Sequence, residues 1–210
     1  MTNYLIELDN ISKTFGRRLI FKNISSKFNS PDIIGVAGKN GAGKSTFVKI
    51  LANLISPTKG KIKHFINNKL IEPEKVYNYT GFVAPYLVLY DEFTALENLF
   101  YCCKIRGINY EIEYAKELLK NVNLFERRND YVKTYSSGMK QRLKYAFALI
   151  HNPNLIILDE PTSNLDNAGK DLVYNFISSL GKEKLIVLAS NEQTELKYCS
   201  KIIEPEKYKE

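Results

Sequence analysis

The stretch DIIGVAGKNGAGKSTFVKIL, residues 32–51, decides the fold of this chain. It opens as an apolar strand, runs without a break into a glycine-rich loop, and continues as KSTFVKILANLI, which reads as a helix. There Phe47, Ile50, Leu51 and Leu54 recur at helical spacing. The loop, Gly38 to Thr46, matches GxxxxGK followed by Ser or Thr, in the strand–loop–helix setting that gives the pattern its meaning. Glycines let successive backbone N–H groups converge on phosphate oxygens where a Cβ would block the approach. The helix behind them presents its positive end to the same anion. Gly38, Asn40, Gly41, Ala42, Gly43, Lys44, Ser45 and Thr46 are therefore the expected nucleotide ligands. Lys44 is expected to reach the β- and γ-phosphates, and the Ser45 hydroxyl to sit on Mg²⁺.

A second strand, Leu155-Ile156-Ile157-Leu158, ends in two acids, Asp159 and Glu160. In a phosphate-loop fold a strand-end aspartate belongs beside the loop, so Asp159 is expected to hold Mg²⁺, directly or through water. Glu160, one residue further, is placed to orient and polarise an attacking water.

Working outward, the N-terminus alternates in NYLIELDN, ISKTFG and LIFKNISSKFN, short strands expected to pair antiparallel. GKIKHF and YTGFVA also read as strands. Residues 86 to about 150 read as mainly helical. In that stretch Thr94 and Glu97 form a capping box, Gly107 is a stop, and Ile112, Ala115, Leu119 and Val122 share one face. KLIVLAS, a final helix and a final strand complete an alternation of buried strands and helices. The expectation is an α/β, parallel-rich core with an antiparallel N-terminal part and an inserted helical part.

Composition narrows the classes. The chain has 210 residues, 44% hydrophobic and 25% charged, the profile of one ordinary globular domain rather than a disordered or fibrous chain. No apolar run reaches the ~18–20 residues of a membrane span, and the polar start MTNYLIELDN is unlike a signal peptide. Cys102, Cys103 and Cys199 show no CxxC spacing, which suggests neither a disulfide framework nor a zinc site and fits a reducing cytosol. The net charge of +7 is read as dispersed surface lysine. The densest basic stretch, residues 59–69, has five basic side chains including His64, without the aromatics or basic helix of a nucleic-acid binder, so no nucleic-acid partner is expected.

At residues 135–142 the chain reads Tyr135-Ser136-Ser137-Gly138-Met139-Lys140-Gln141-Arg142 and opens an amphipathic helix. With the phosphate loop before it and the acidic strand after it, the chain resembles the ATP-binding subunits of ABC transporters, whose signature loop reads LSGGQ. The resemblance covers essentially the whole chain. It implies a single domain of ABC type, with residues of about 1–85 and 143–210 forming the nucleotide-binding core and about 86–142 a helical subdomain. It also implies adenine stacking on Phe15, phosphate contacts from Ser136, Ser137 and Gly138, and an inter-subunit loop, Ser163-Asn164-Leu165-Asp166, that brings Asp166 to the site. Two such subunits, a homodimer or a heterodimer of like cassettes, would pair head to tail around two ATP. They would drive a separate transmembrane subunit from the cytoplasmic face of the membrane.

Two positions depart from the family pattern. Pro85 stands where a glutamine is usual, and Asn191 where a histidine is usual after the last core strand. Glu160, Lys44 and Asn191 are thus the expected catalytic groups, with Asn191 able to donate a hydrogen bond but not to carry a proton. The wording of residues 136–142 is similar to export-type subunits, and the compact size is similar to the haem-exporter ATPase of cytochrome c maturation. Two other readings compete: an ATP-dependent assembly or regulatory subunit with little hydrolysis, motivated by Pro85 and Asn191, and a soluble non-transport member of the family. A kinase or GTPase is disfavoured by Tyr135–Met139 and Glu160.

Overall fold

The computed structural model describes residues 2–209. Strand β1, Tyr4–Phe15, turns at Gly16 into β2, Arg18–Asn29, so the three short N-terminal strands expected are two long ones. The Asp-Asn that looked like a break is a bulge: Asn10 is left-handed at φ 48, and the pairing register shifts between Leu8 and Ile11. Strand β3, Asp32–Ala37, carries the chain into the glycine loop and α1, Lys44–Leu51. Leu54 lies beyond the end of that helix and is exposed. Strands β4, Lys59–Ile66, and β5, Lys69–Ile71, are joined through Asn67 and Asn68, both at positive φ as a two-residue hairpin requires.

Next come β6, Thr80–Val83, then the helices α2, Ala95–Arg106, α3, Ile112–Asn121, and α4, Ser137–Leu149. Thr94 and Glu97 form the expected capping box and Gly107 is left-handed at the end of α2. On α3, Ala115 and Leu119 are buried, as is Val122 just beyond it, while Ile112 at its start is exposed. α4 runs unbroken through residues 142 and 143, where the sequence suggested a division. The chain ends with β7, Leu155–Asp159, α5, Asn167–Leu180, β8, Leu185–Ser190, the four-residue α6, Gln193–Leu196, and β9, Lys201–Ile203.

Two sheets result. One is antiparallel in the order β2-β1-β4-β5; the other is parallel in the order β6-β7-β8-β3-β9. The stretches Leu155–Leu158 of β7 and Leu185–Ala189 of β8 are apolar at every position because both of their faces are covered. On one face Ile156, Leu158, Ile186 and Leu188 pack with α4 and with Val173 and Ile177 of α5. On the other, Leu155, Ile157, Leu185 and Val187 pack with Phe47, Ile50 and Leu51 of α1 and with Tyr4, Ile6 and Phe28 of the antiparallel sheet. β6 lies so close to α4 that a Cβ on Gly81 would stand 2.5 Å from the Ala148 carbonyl oxygen.

α4 is fastened at several points. Lys144, almost fully buried, donates to the carbonyl oxygens of Ala84 and Pro85 at 3.1 and 2.8 Å. Gln141 and Tyr145 both donate to the carbonyl oxygen of Pro161. His64 is buried against Tyr4, so the basic stretch at 59–69 loses one of its members to the core. All three cysteines are free.

Candidate nucleotide site

The parallel strands end together: Ala37 pairs with Ser190, and Asp159 with Ala189. Ligands in open parallel sheets bind outside the carboxyl ends of the strands, and this end carries every phosphate-loop and acidic residue named above. A cleft of about 390 Å³ opens there, lined by Phe15, Arg18, Ile20, Asn40, Gly41, Gly43, Lys44, Ser45, Thr46 and Glu160.

The loop geometry follows from its glycines. Gly43 caps α1 at φ 100, and a Cβ there would lie 2.6 Å from the Ile20 side chain. Lys44 is 4% exposed, and its ammonium donates to the Gly38 carbonyl oxygen at 2.8 Å and to that of Lys39 at 3.4 Å. Those carbonyls hold the charge at the loop, beside the place an anion would take. Gly38 and Ala42 do not line this cleft; Gly38 lines a neighbouring one, and a Cβ on it would stand 2.8 Å from that of Ala42. Phe15 stands at the mouth, 51% exposed, with Lys13 Nζ 4.8 Å from its ring centre. An aromatic ring left half in water at a cleft edge is no part of the core.

Ser45 and Asp159 meet across 114 residues of sequence, the Ser45 hydroxyl donating to Asp159 Oδ1 at 3.2 Å. Two oxygen donors from a hydroxyl and a carboxylate fit a hard divalent cation such as Mg²⁺, which takes few protein ligands and shares itself with phosphate. No cluster of three or more His, Cys, Asp or Glu suited to a metal occurs among the described residues. Burial pushes the Asp159 carboxyl up and the adjacent Glu160 adds to this, while hydrogen bonds from Ser45 and Tyr86 and the charge of Lys49 pull it down.

Glu160 is the exceptional residue of the backbone. Every other non-glycine residue at positive φ among those described is an asparagine; Glu160 is held at φ 48. Its own N–H donates to the Ala189 carbonyl oxygen at 2.9 Å, and the next carbonyl, that of Pro161, is the one gripped by α4. Strain of this kind persists where the surroundings over-determine it.

Beside the main cleft, a smaller one of about 110 Å³ brings Asn191 together with Asn40, Glu160, Thr162, Ser163 and Glu195. Asn191 therefore faces the same space as Glu160. Ser136 caps α4, accepting from the Met139 N–H at 3.2 Å, and Asp166 caps α5, accepting from the Gly169 N–H at 2.8 Å. Ser136, Ser137, Gly138 and Asp166 lie outside the walls of the nucleotide cleft of their own chain. Gly138 packs near the Asn164 carbonyl, where a Cβ would come within 3.4 Å, so the signature segment and the Ser163–Asp166 loop form one surface.

Two residues at this end escaped the sequence reading. Tyr86, next to Pro85, donates its hydroxyl to Asp159 Oδ2 at 3.2 Å. Burial pushes its phenol pKa well up, with the Asp159 charge adding to the effect. Glu195 is buried at 1% exposure and accepts a hydrogen bond from the Thr162 hydroxyl. Burial raises its pKa, partly offset by hydroxyl hydrogen bonds. Neither residue sits in a motif, and only the Pro85 departure hinted that a neighbour matters.

A family model described as ABC transporter matches residues 21–163. The bacitracin transport ATP-binding protein BcrA of Bacillus licheniformis is 36% identical over 88% of this chain and 60% of its own length. The ABC transporter ATP-binding protein MJ1508 of Methanocaldococcus jannaschii is 35% identical over 95% of this chain and 94% of its own. Among solved structures, the dimeric post-hydrolysis state of the cassette MJ0796 bound to ADP and Pi superposes with TM-score 0.81 at 27% identity, covering 94% of this chain and 93% of that one. The chain spans about three fifths of the length of several of the curated relatives it matches.

Proposed function

This chain belongs to the ABC transporter family, and we propose that it is the ATP-hydrolysing subunit of an export-type transporter, working on a separate membrane subunit. The observation that carries the reading is the convergence of Phe15, Lys44, Ser45 and Glu160 on one cleft at the carboxyl end of the parallel sheet, with Asp159 bonded to Ser45 at its wall. In this reading Phe15 stacks on adenine, the loop amides and Lys44 hold the phosphates, and Ser45 and Asp159 hold Mg²⁺. The bound Mg²⁺ supplies neutralisation of the phosphate charge. Glu160 orients the attacking water and takes its proton, and Asn191 donates to the γ-phosphate from the adjoining space.

Ser136, Ser137, Gly138 and Asp166 serve the ATP of a second subunit. Their placement on a shared surface outside their own cleft supports a head-to-tail pair, as does the dimeric cassette described above. Residues of about 86–142 act as the helical subdomain and the remainder as the nucleotide-binding core. Val88 at 83% and Ile105 at 73% exposure leave apolar groups on that subdomain for a membrane partner. No helix among the described residues is long and apolar enough to cross a membrane. Export is the reading that the wording of residues 136–142 supports. Mg-ATP and the Glu160→Gln variant test the reading: Gln keeps the shape and loses the base, so ATP should trap a dimer seen by light scattering. A variant that binds ATP and stays strictly monomeric overturns the paired mechanism.

A further inference from the structure

We propose that the Tyr86 hydroxyl is the positioning group for the Asp159 carboxylate, fixing Oδ2 so that Oδ1 faces the cation site beside Ser45. This rests on the reading of Ser45 and Asp159 as the metal-holding pair. Asp159 is 1% exposed, and its two oxygens are divided between two donors at equal distance, Ser45 at Oδ1 and Tyr86 at Oδ2, each 3.2 Å away. The terminal torsion of an aspartate is broad and two-fold, so a carboxylate bonded at one oxygen can still swing. A donor at each oxygen removes that freedom.

Tyr86 lies three residues past the end of β6 and keeps two neighbours against its ring. Lys49 Nζ of α1 stands 4.1 Å from its ring centre, and the Phe82 ring of β6 lies 6.3 Å from it, centre to centre. The two carbonyls just before it, those of Ala84 and Pro85, are both held by Lys144 of α4. Lys49 and Phe82 border a ring that is otherwise 48% exposed, Lys144 holds the backbone just before it, and the phenol hydroxyl engages the carboxylate. Pro85, with no side-chain donor, cannot do this, whereas the residue after it reaches Asp159. The hydroxyl is a hydrogen-bond donor to a metal ligand, and partners of that kind set ligand orientation and affinity.

The test is Mn²⁺ binding, followed by electron paramagnetic resonance, to the full chain with a non-hydrolysable ATP analogue. Removing a partner of a metal ligand costs about 10–100-fold in metal affinity, so Tyr86→Phe should weaken Mn²⁺ binding by that order. Metal-free binding of the analogue and the melting temperature should stay unchanged, because Phe keeps the ring against Lys49 and Phe82. Asp159→Ala in the same assay should lose Mn²⁺ more fully. Unchanged Mn²⁺ affinity in Tyr86→Phe, with Asp159→Ala impaired, overturns the role of Tyr86 and leaves the metal pair standing. Equal loss of metal-free nucleotide binding in Tyr86→Phe also overturns it, by showing general damage. Unchanged affinity in both variants overturns the metal pair, and the role of Tyr86 with it.

Discussion

Glu160→Asn should make this protein more stable while stopping its chemistry. The left-handed region costs an ordinary L-residue about 1–2 kcal/mol, and asparagine, whose short side chain bonds locally, tolerates it far better. The chain shows the rule in its own backbone: among the described residues asparagines occupy the other left-handed non-glycine positions, including Asn53, Asn123, Asn152 and Asn164, and Glu160 alone breaks it. Relief of most of that strain is worth about 1 kcal/mol, or about 2–4 °C in Tm for a domain of this size. Glu160→Gln is the control, since it removes the same charge beside Asp159 but keeps a long side chain at φ 48. Urea and thermal unfolding of the two variants, compared with each other, isolate the backbone contribution. ATP turnover should fall in both. If Glu160→Asn is no more stable than Glu160→Gln, the strain is not there, and the idea that the site trades stability for a placed base is wrong.

Phe15→Ala should weaken ATP binding by about 1–3 kcal/mol, the range for a base stacked on an aromatic ring, with no loss of fold stability because the ring is half exposed; unchanged affinity by calorimetry refutes the stacking role. Turnover by the wild type should show no imidazole-like titration between about pH 6 and 8, and Asn191→His should introduce one and raise the rate; equal, pH-independent rates for wild type and variant would place Asn191 away from the phosphate. Burial lowers both His64 and His151 from 6.5 to about 4, so each gives stability that is complete above 6.5 and is lost as the pH falls towards 4. By linkage that is about 2 kcal/mol per histidine at pH 5. The raised carboxyls of Asp159 and Glu195 act in the opposite sense, so the check is a difference: His64→Gln should flatten the urea stability curve between pH 7 and 5, and an unaltered slope counts against the assignment.

What could be read from residues alone was what local chemistry or a motif determines. The capping box of Thr94 and Glu97 involves four neighbouring residues, and it formed as written. The Ser45–Asp159 contact spans most of the chain, yet each partner sits in a motif whose purpose is to meet the other. Periodicity overreached at Leu54 and Ile112, because an apolar residue in helical register does not show where the helix stops or starts. The break at Asn10 was a bulge, since a left-handed asparagine can bend a strand as well as end it. Tyr86 and Glu195 were illegible for a different reason. Their partners, Asp159 and Thr162, are chosen by the packing of α1, α4 and α6 rather than by any spacing in the sequence.

Lys144 gives α4 a mechanical character. The helix is a stiff rod of 13 residues. It is clamped by one ammonium to the backbone ahead of Tyr86, and by Gln141 and Tyr145 to the backbone just past Glu160. Within about one helical turn, α4 therefore ties the stretch leading into α2 to the loop that follows Glu160. α2 and α3 are joined by the short link from Gly107 to Glu111. Lys144 is thus a tie between two loops of the sheet's carboxyl end, and a neutral residue there would leave Tyr86 and Glu160 to be held independently.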